Sequence, residues 1–174
     1  MTPSLLDYFG HDHQRLGMLL AAAMDSSTGY DEQAFEIFRR ALVRHVAIEE
    51  RVLAPALEAR LGDGFAAARR KLRQDHRALV TLVIPRPCRE WLEDLRELLA
   101  HHFEVEEREG GLHELAERFL TPDAPKLIAA ARGLPEVELG PPCEGAEVEA
   151  ALHAALERFG LADPEKNVGG DPLE

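Results

Sequence analysis

Apolar residues recur three and four positions apart along four stretches of this chain, the spacing of an α-helix that buries one face. In the first stretch Leu6, Phe9, His13, Leu16, Leu20 and Met24 form one stripe. It opens near Thr2-Pro3-Ser4, where proline is tolerated in a first turn and Thr or Ser caps it, and it runs to about Asp25. The turn cluster Ser26-Ser27-Thr28-Gly29 precedes a second helix from about Asp31 to Leu61. Its inward set is Phe35, Phe38, Leu42, His45, Ile48 or Glu49, and Val52 or Leu53, with a kink or short break expected at Pro55. Gly62-Asp63-Gly64 closes that hairpin, and a third helix from Phe65 to about Ile84 carries Leu72, His76, Leu79 and Val83 before Pro85-Arg86-Pro87 stops it. The fourth runs from about Cys88 to Leu120 with Trp91, Leu95, Leu98 or Leu99, His102 and Glu106 inward and His113 as a further candidate for that face, weakened at Gly110-Gly111.

Short connections between long amphipathic helices make neighbours antiparallel, so the expected fold is all-α: an up-down-up-down four-helix bundle over residues 1–120. Pro122, Pro125, Pro135, Pro141 and Pro142 then break residues 121–174 into a C-terminal extension with one helix near 146–159 and a disordered tail from Glu165. The extension reads as packing against the bundle or as the contact for a protein partner or a second copy.

Composition supports this picture, since Leu, Ala, Glu and Arg dominate while β-branched residues are sparse. The net charge of -12 argues against nucleic acid or an anionic membrane as partner. No apolar run reaches membrane-spanning length, and Met1 to Asp7 lacks the basic region and apolar core of a signal peptide, so a cytoplasmic location is expected. Cys88 and Cys143 are far apart without C-x-x-C spacing, which indicates neither a disulfide framework nor a redox pair.

The chemistry lies in two repeated elements. His45-Val46-Ala47-Ile48-Glu49-Glu50 and His102-Phe103-Glu104-Val105-Glu106-Glu107 share the form H-x-x-x-E-E. On a helix the His and first Glu then stand about one turn, roughly 6 Å, apart on one face. Asp12-His13-Gln14-Arg15-Leu16 and Asp75-His76-Arg77-Ala78-Leu79 share D-H-x-x-L. One helix hairpin packed against its near-duplicate makes His13 with His45/Glu49, and His76 with His102/Glu106, equivalent half-sites. Four imidazoles and two carboxylates in a buried cavity suit two transition metals, among iron, zinc and copper, with the carboxylates bridging ions roughly 3.5–4 Å apart. A lone histidine on an apolar stripe is more often a satisfied core residue. Six such groups on four inward stripes would be costly to bury unless something coordinated them.

His11 and His101 fall off the inward stripes and read as surface or outer residues. His113 lies on nearly the same face as His102 but about three turns away, too far to bind the same metal, which favours core or channel packing for it. Asp12, Asp75, Glu50 and Glu107 read either as acceptors for imidazole N–H groups or as exposed helix charges.

With His13, His45, Glu49, His76, His102 and Glu106 in that order and spacing, the sequence resembles the hemerythrin-like, or HHE cation-binding, family over about residues 1–120. The resemblance implies a non-haem di-iron centre, bridged by Glu49 and Glu106 and an oxo or hydroxo group, that meets dioxygen, nitric oxide or related oxidants. Oxygen-carrying members use a second histidine on the third helix, and the corresponding positions here are Leu72 and Val80. The ligand set is closer to members linked to iron-sulfur repair under nitrosative or oxidative stress; these commonly carry a small cysteine-containing N-terminal domain, which is not expected here because the first helix starts within the first few residues. Ferritin-like di-iron proteins need E-x-x-H, and no histidine here has a glutamate three residues before it.

Three readings stand at this stage. The first is a redox-active di-iron sensor, scavenger or repair factor, with catalytic residues unassigned. The second is a non-catalytic iron or zinc binding or storage protein, or a metal-dependent interaction module. The third is a metal-free bundle with incidental histidines.

Overall fold

A computed structural model describes residues 3–27 and 29–160. The chain begins with α1 (Leu5–Met24), capped by Ser4, whose Oγ accepts the Asp7 N–H at 2.9 Å. α2 (Glu32–Ile48) is capped by Asp31 and continues through a π-helical turn (Glu49–Leu53) into α3 (Ala54–Leu61). α4 (Asp63–Leu82) and α5 (Arg89–Glu107) complete the bundle. α6 (Leu112–Leu120), α7 (Ala124–Gly133) and α8 (Ala146–Arg158) follow. Among the described residues the one β-bridge is an isolated pairing of Pro85 with Cys143. The expected disordered tail lies outside the described residues.

The four expected helices are present, with two interruptions that matter to the interior. Pro55 has no N–H to give Arg51, and its ring crowds that carbonyl. The helix widens upstream instead of kinking at the proline, so that the Ala54 N–H bonds the Glu49 carbonyl five residues back. The fourth expected helix is two helices. Gly110 sits at φ +78°, and a Cβ on Gly111 would overlap the Val105 and Glu106 carbonyls, so the chain turns sharply after Glu107. α6 leaves at a new angle.

Two apolar clusters fill the bundle, one built around Leu16, Leu20, Phe35, Phe38, Leu42, Leu79 and Leu92, the other around Leu5, Phe9, Leu53, Leu57, Phe65, Ala116 and Leu120. Along α1, His13 falls between Phe9 of one cluster and Leu16 of the other. Along α2, His45 falls between Leu42 and Ile48. A polar layer therefore separates two hydrophobic cores.

The C-terminal elements close on the same cores. α7, which the sequence reading did not anticipate, places Ile128 and Ala131 in the second cluster. The Arg44 guanidinium donates to the Ala131, Arg132 and Leu134 carbonyls at its C-terminal end, at 3.0, 3.3 and 3.2 Å. α8 lies against α4 and adds Ala155, with Leu152, Leu156 and Phe159, to the first cluster. Buried Arg39 donates to the Val83 and Gly140 carbonyls at 2.7 and 3.3 Å, tying the end of α4 to the segment leading into α8. No described helix is long and apolar enough to cross a membrane.

Candidate metal centre

His13 from α1, His45 from α2, Glu49 from the π-helical turn, His76 from α4, and His102 and Glu106 from α5 converge in the polar layer, none more than 6% exposed. Each arrives by the helical spacing of its apolar neighbours. The structure brings all six sequence-selected residues together, and it adds a seventh, His113 of α6, at 0% exposure.

The carboxylates span the layer. Glu49 turns Oε1 toward His45 Nε2 at 3.3 Å and Oε2 toward His76 Nε2 at 3.1 Å. Glu106 turns Oε2 toward His13 Nε2 at 3.4 Å, and Oε1 toward His76 and His102 Nε2 at 3.3 and 3.1 Å. Each glutamate thus offers one oxygen to each histidine pair. Two overlapping groups result, His13/Glu49/Glu106/His113 and Glu49/His76/His102/Glu106, and within each the ligand atoms all lie within 4.8 Å of one another.

Outer carboxylates fix the imidazoles. His13 Nδ1 donates to Glu107 Oε1 at 2.6 Å, His45 Nδ1 to Asp12 Oδ2 at 2.9 Å, and His76 Nδ1 to Glu50 Oε1 at 3.3 Å. An N–H committed at Nδ1 leaves the Nε2 lone pair aimed at the centre. His13 and His45 Nε2 face each other at 3.2 Å, an arrangement that needs a proton or cation between them. Asp75, the fourth acidic residue of the repeat, pairs instead with Lys71 at 2.6 Å and with Arg158 at 2.8 Å.

Electrostatics follow from burial and crowding. Burial works against charging His45, but the Glu49 charge and the hydrogen bonds to Asp12 and Glu49 outweigh it and push this imidazole up to about 10. His76 is likewise driven well above the ordinary value, because its hydrogen bonds to Glu106, Glu49 and Glu50 outweigh desolvation. For His13 burial prevails and the imidazole is lowered. Glu49 is held well below the usual carboxylate range, the His45 charge and hydrogen bonds to His113, His45 and His76 overcoming burial. Glu106 is lowered too, as His102 and His13 overcome burial and repulsion from Glu49. An ion entering this layer would displace imidazole protons, so uptake is coupled to proton release.

The residues fit a bound ion on a further ground. Glu49 Oε2, His102 Nε2, Glu106 Oε2 and His113 Nδ1 are buried and make no hydrogen bond of good geometry, and the first three have only charged or imidazole groups of the same layer as close polar neighbours. Native interiors rarely strand so many polar atoms together. A cation held by these oxygens and nitrogens would satisfy them.

Helical rise alone puts His113 about three turns from His102, too far to share an ion with it. The corner at Gly110-Gly111 removes the three-turn offset and carries its ring next to Glu49. The Gly-Gly pair itself was the available signal. His11 and His101 are exposed, as their off-stripe positions predict.

No curated protein and no solved structure gives a match to the chain. The family model described as the hemerythrin HHE cation binding domain matches residues 4–109, which takes in all six sequence-selected residues and most of the chain. With that match laid over a buried layer of histidines and glutamates, the chain belongs to the hemerythrin HHE cation-binding family.

Proposed function

We propose that the protein holds a non-haem di-iron centre, with His13, His45, His76 and His102 as imidazole ligands and Glu49 and Glu106 as bridging carboxylates, and uses it to sense, scavenge or respond to dioxygen, nitric oxide or a related oxidant. The observation that carries this reading is the double-facing arrangement of both glutamates, one oxygen toward each histidine pair. A mononuclear site has no use for two carboxylates arranged so. When bound, the iron pair supplies the binding and one-electron chemistry of the small oxidant.

The chain's own residues do the rest. Asp12, Glu50 and Glu107 hold three imidazoles in the tautomer that presents Nε2 inward. The apolar clusters on either side keep bulk water from the layer, which strengthens every charge interaction within it. Phe103, stacked on His13 at 3.8 Å, and Phe9 form part of that wall.

The test is metal content of protein purified without added metal, together with absorption spectra before and after reduction, air and nitric oxide. About two irons per chain is expected, with near-ultraviolet and visible bands that change on reduction and gas exposure. Zinc alone, or no iron after anaerobic reconstitution, would sink the redox reading.

A further inference from the structure

His113 lies beyond the family match and outside both repeated elements, yet it is fully buried in the polar layer. Its Nε2 stands 2.6 Å from Glu49 Oε1, while its Nδ1 is buried with no partner. Its ring stacks on Phe9 at 4.7 Å and 24°, with its centroid 4.7 Å from that of His13. A histidine kept for packing alone normally has both nitrogens satisfied. This one offers a nitrogen within 4.8 Å of ligand atoms on His13, Glu49 and Glu106.

The backbone is built to deliver it there. Gly110 at φ +78° and the close approach of Gly111 to the α5 carbonyls turn the chain back, and the Gly110 N–H donates to Glu114 Oε2 at 3.1 Å. Ala116 and Leu120, one and two turns further along α6, anchor that helix in the second apolar cluster. The ring therefore has little freedom to leave the layer.

We infer that His113 is an additional metal ligand, supplying a third imidazole to the His13/His45 side of the centre; this rests on the di-iron reading above. The centre then has three imidazoles on one side and two on the other, although the repeat that builds it is symmetric. The competing role is an N–H donor that merely positions Glu49. The two differ in what a glutamine can replace: its amide can donate to Glu49 but brings no imidazole nitrogen.

The experiment titrates anaerobic Fe²⁺ and, separately, Co²⁺ into the full chain, as wild type, His113→Gln and His113→Ala, with circular dichroism to check helix content. Wild type is expected to take two ions. Both variants should keep one tightly and hold the other at least about 100-fold more weakly, the upper end of what losing even an outer partner costs. Free imidazole should restore the second ion to His113→Ala. Independently of any variant, cobalt-loaded wild type should show five hyperfine-shifted imidazole N–H resonances.

Two ions held equally tightly by His113→Gln, or four such resonances in wild type, overturns the assignment and leaves the di-iron reading standing. Fewer than two ions in wild type overturns both.

Discussion

The half-site carried by α1 and α2 and the one carried by α4 and α5 share the same letters, yet they are built differently. In the first, both imidazoles have carboxylate partners at Nδ1, Glu107 for His13 and Asp12 for His45, and His113 closes in from α6. In the second, Glu50 holds His76, but the residue equivalent to Asp12 is Asp75, and it pairs with Lys71 and with Arg158 of α8. The partners are exchanged crosswise: Glu107 of the second repeat serves His13 of the first, and Glu50 of the first serves His76 of the second. Duplication thus fixes where ligands stand. His113 of α6, Arg158 of α8 and Lys71 of α4, all outside the repeated motifs, make the two halves unequal.

The largest effect should come from the groups that belong to both halves. Glu49→Ala or Glu106→Ala removes an oxygen from each side at once, so metal content should fall from two ions to none or nearly none. His102→Ala, which touches one side, should leave one ion. Elemental analysis of the purified variants decides it; a Glu49→Ala chain that keeps one ion would mean this carboxylate serves a single half. Next in size is the corner that separates the halves from α6. Gly111→Ala places a Cβ against the Val105 and Glu106 carbonyls. Relieving that clash should cost about 1–3 kcal/mol in denaturant unfolding of the metal-free chain and shift Glu106 and His113 together. An unchanged midpoint would show that the corner yields freely.

What the sequence made legible was whatever helical periodicity governs. Ser4 and Asp31 cap where short polar residues precede apolar stripes, and His13, His45, His76 and His102 point inward because Phe9, Leu42, Leu79 and Leu99 do. The π-helical turn was missed in kind, since the periodicity of Asp31 to Leu61 does not say whether Pro55 is accommodated by a kink or by an added residue upstream. His113 was misplaced because a break at two glycines changes direction by an amount no spacing rule contains. α7 went unread because Pro122 and Pro125 look like breakers, whereas Pro125 sits in the first turn of its helix, where no N–H is required. Asp12 and Asp75 were indistinguishable by letter. Lys71, four residues before Asp75, and Arg158, arriving from far along the chain, separate them.

That separation gives the two finer predictions. Asp12→Asn keeps the shape but weakens the acceptor that holds His45, so it should weaken metal binding roughly 10- to 100-fold. Asp75→Asn, whose side chain faces Lys71 and Arg158, should leave metal affinity nearly unchanged. Competition with a chelator of known affinity reads both, and equal losses would erase the asymmetry between the halves.

The smallest effect is expected at Arg158 itself. Its contact with Asp75 is partly solvated, 34% and 13% exposed on the two side chains, so solvent screening limits it to about 0.2–1 kcal/mol. Arg158→Ala should therefore barely move global unfolding. The apolar anchors Ala155, Leu156 and Phe159 remain, so α8 should stay docked while its last turn exchanges amide hydrogen faster. Freed from Arg158, Asp75 still has Lys71 one turn before it on α4. If Lys71 alone retains Asp75, metal affinity in Arg158→Ala matches wild type. If affinity instead rises, Arg158 is what keeps Asp75 from serving the second half-site, and the inequality of the halves is imposed by α8 rather than by α4.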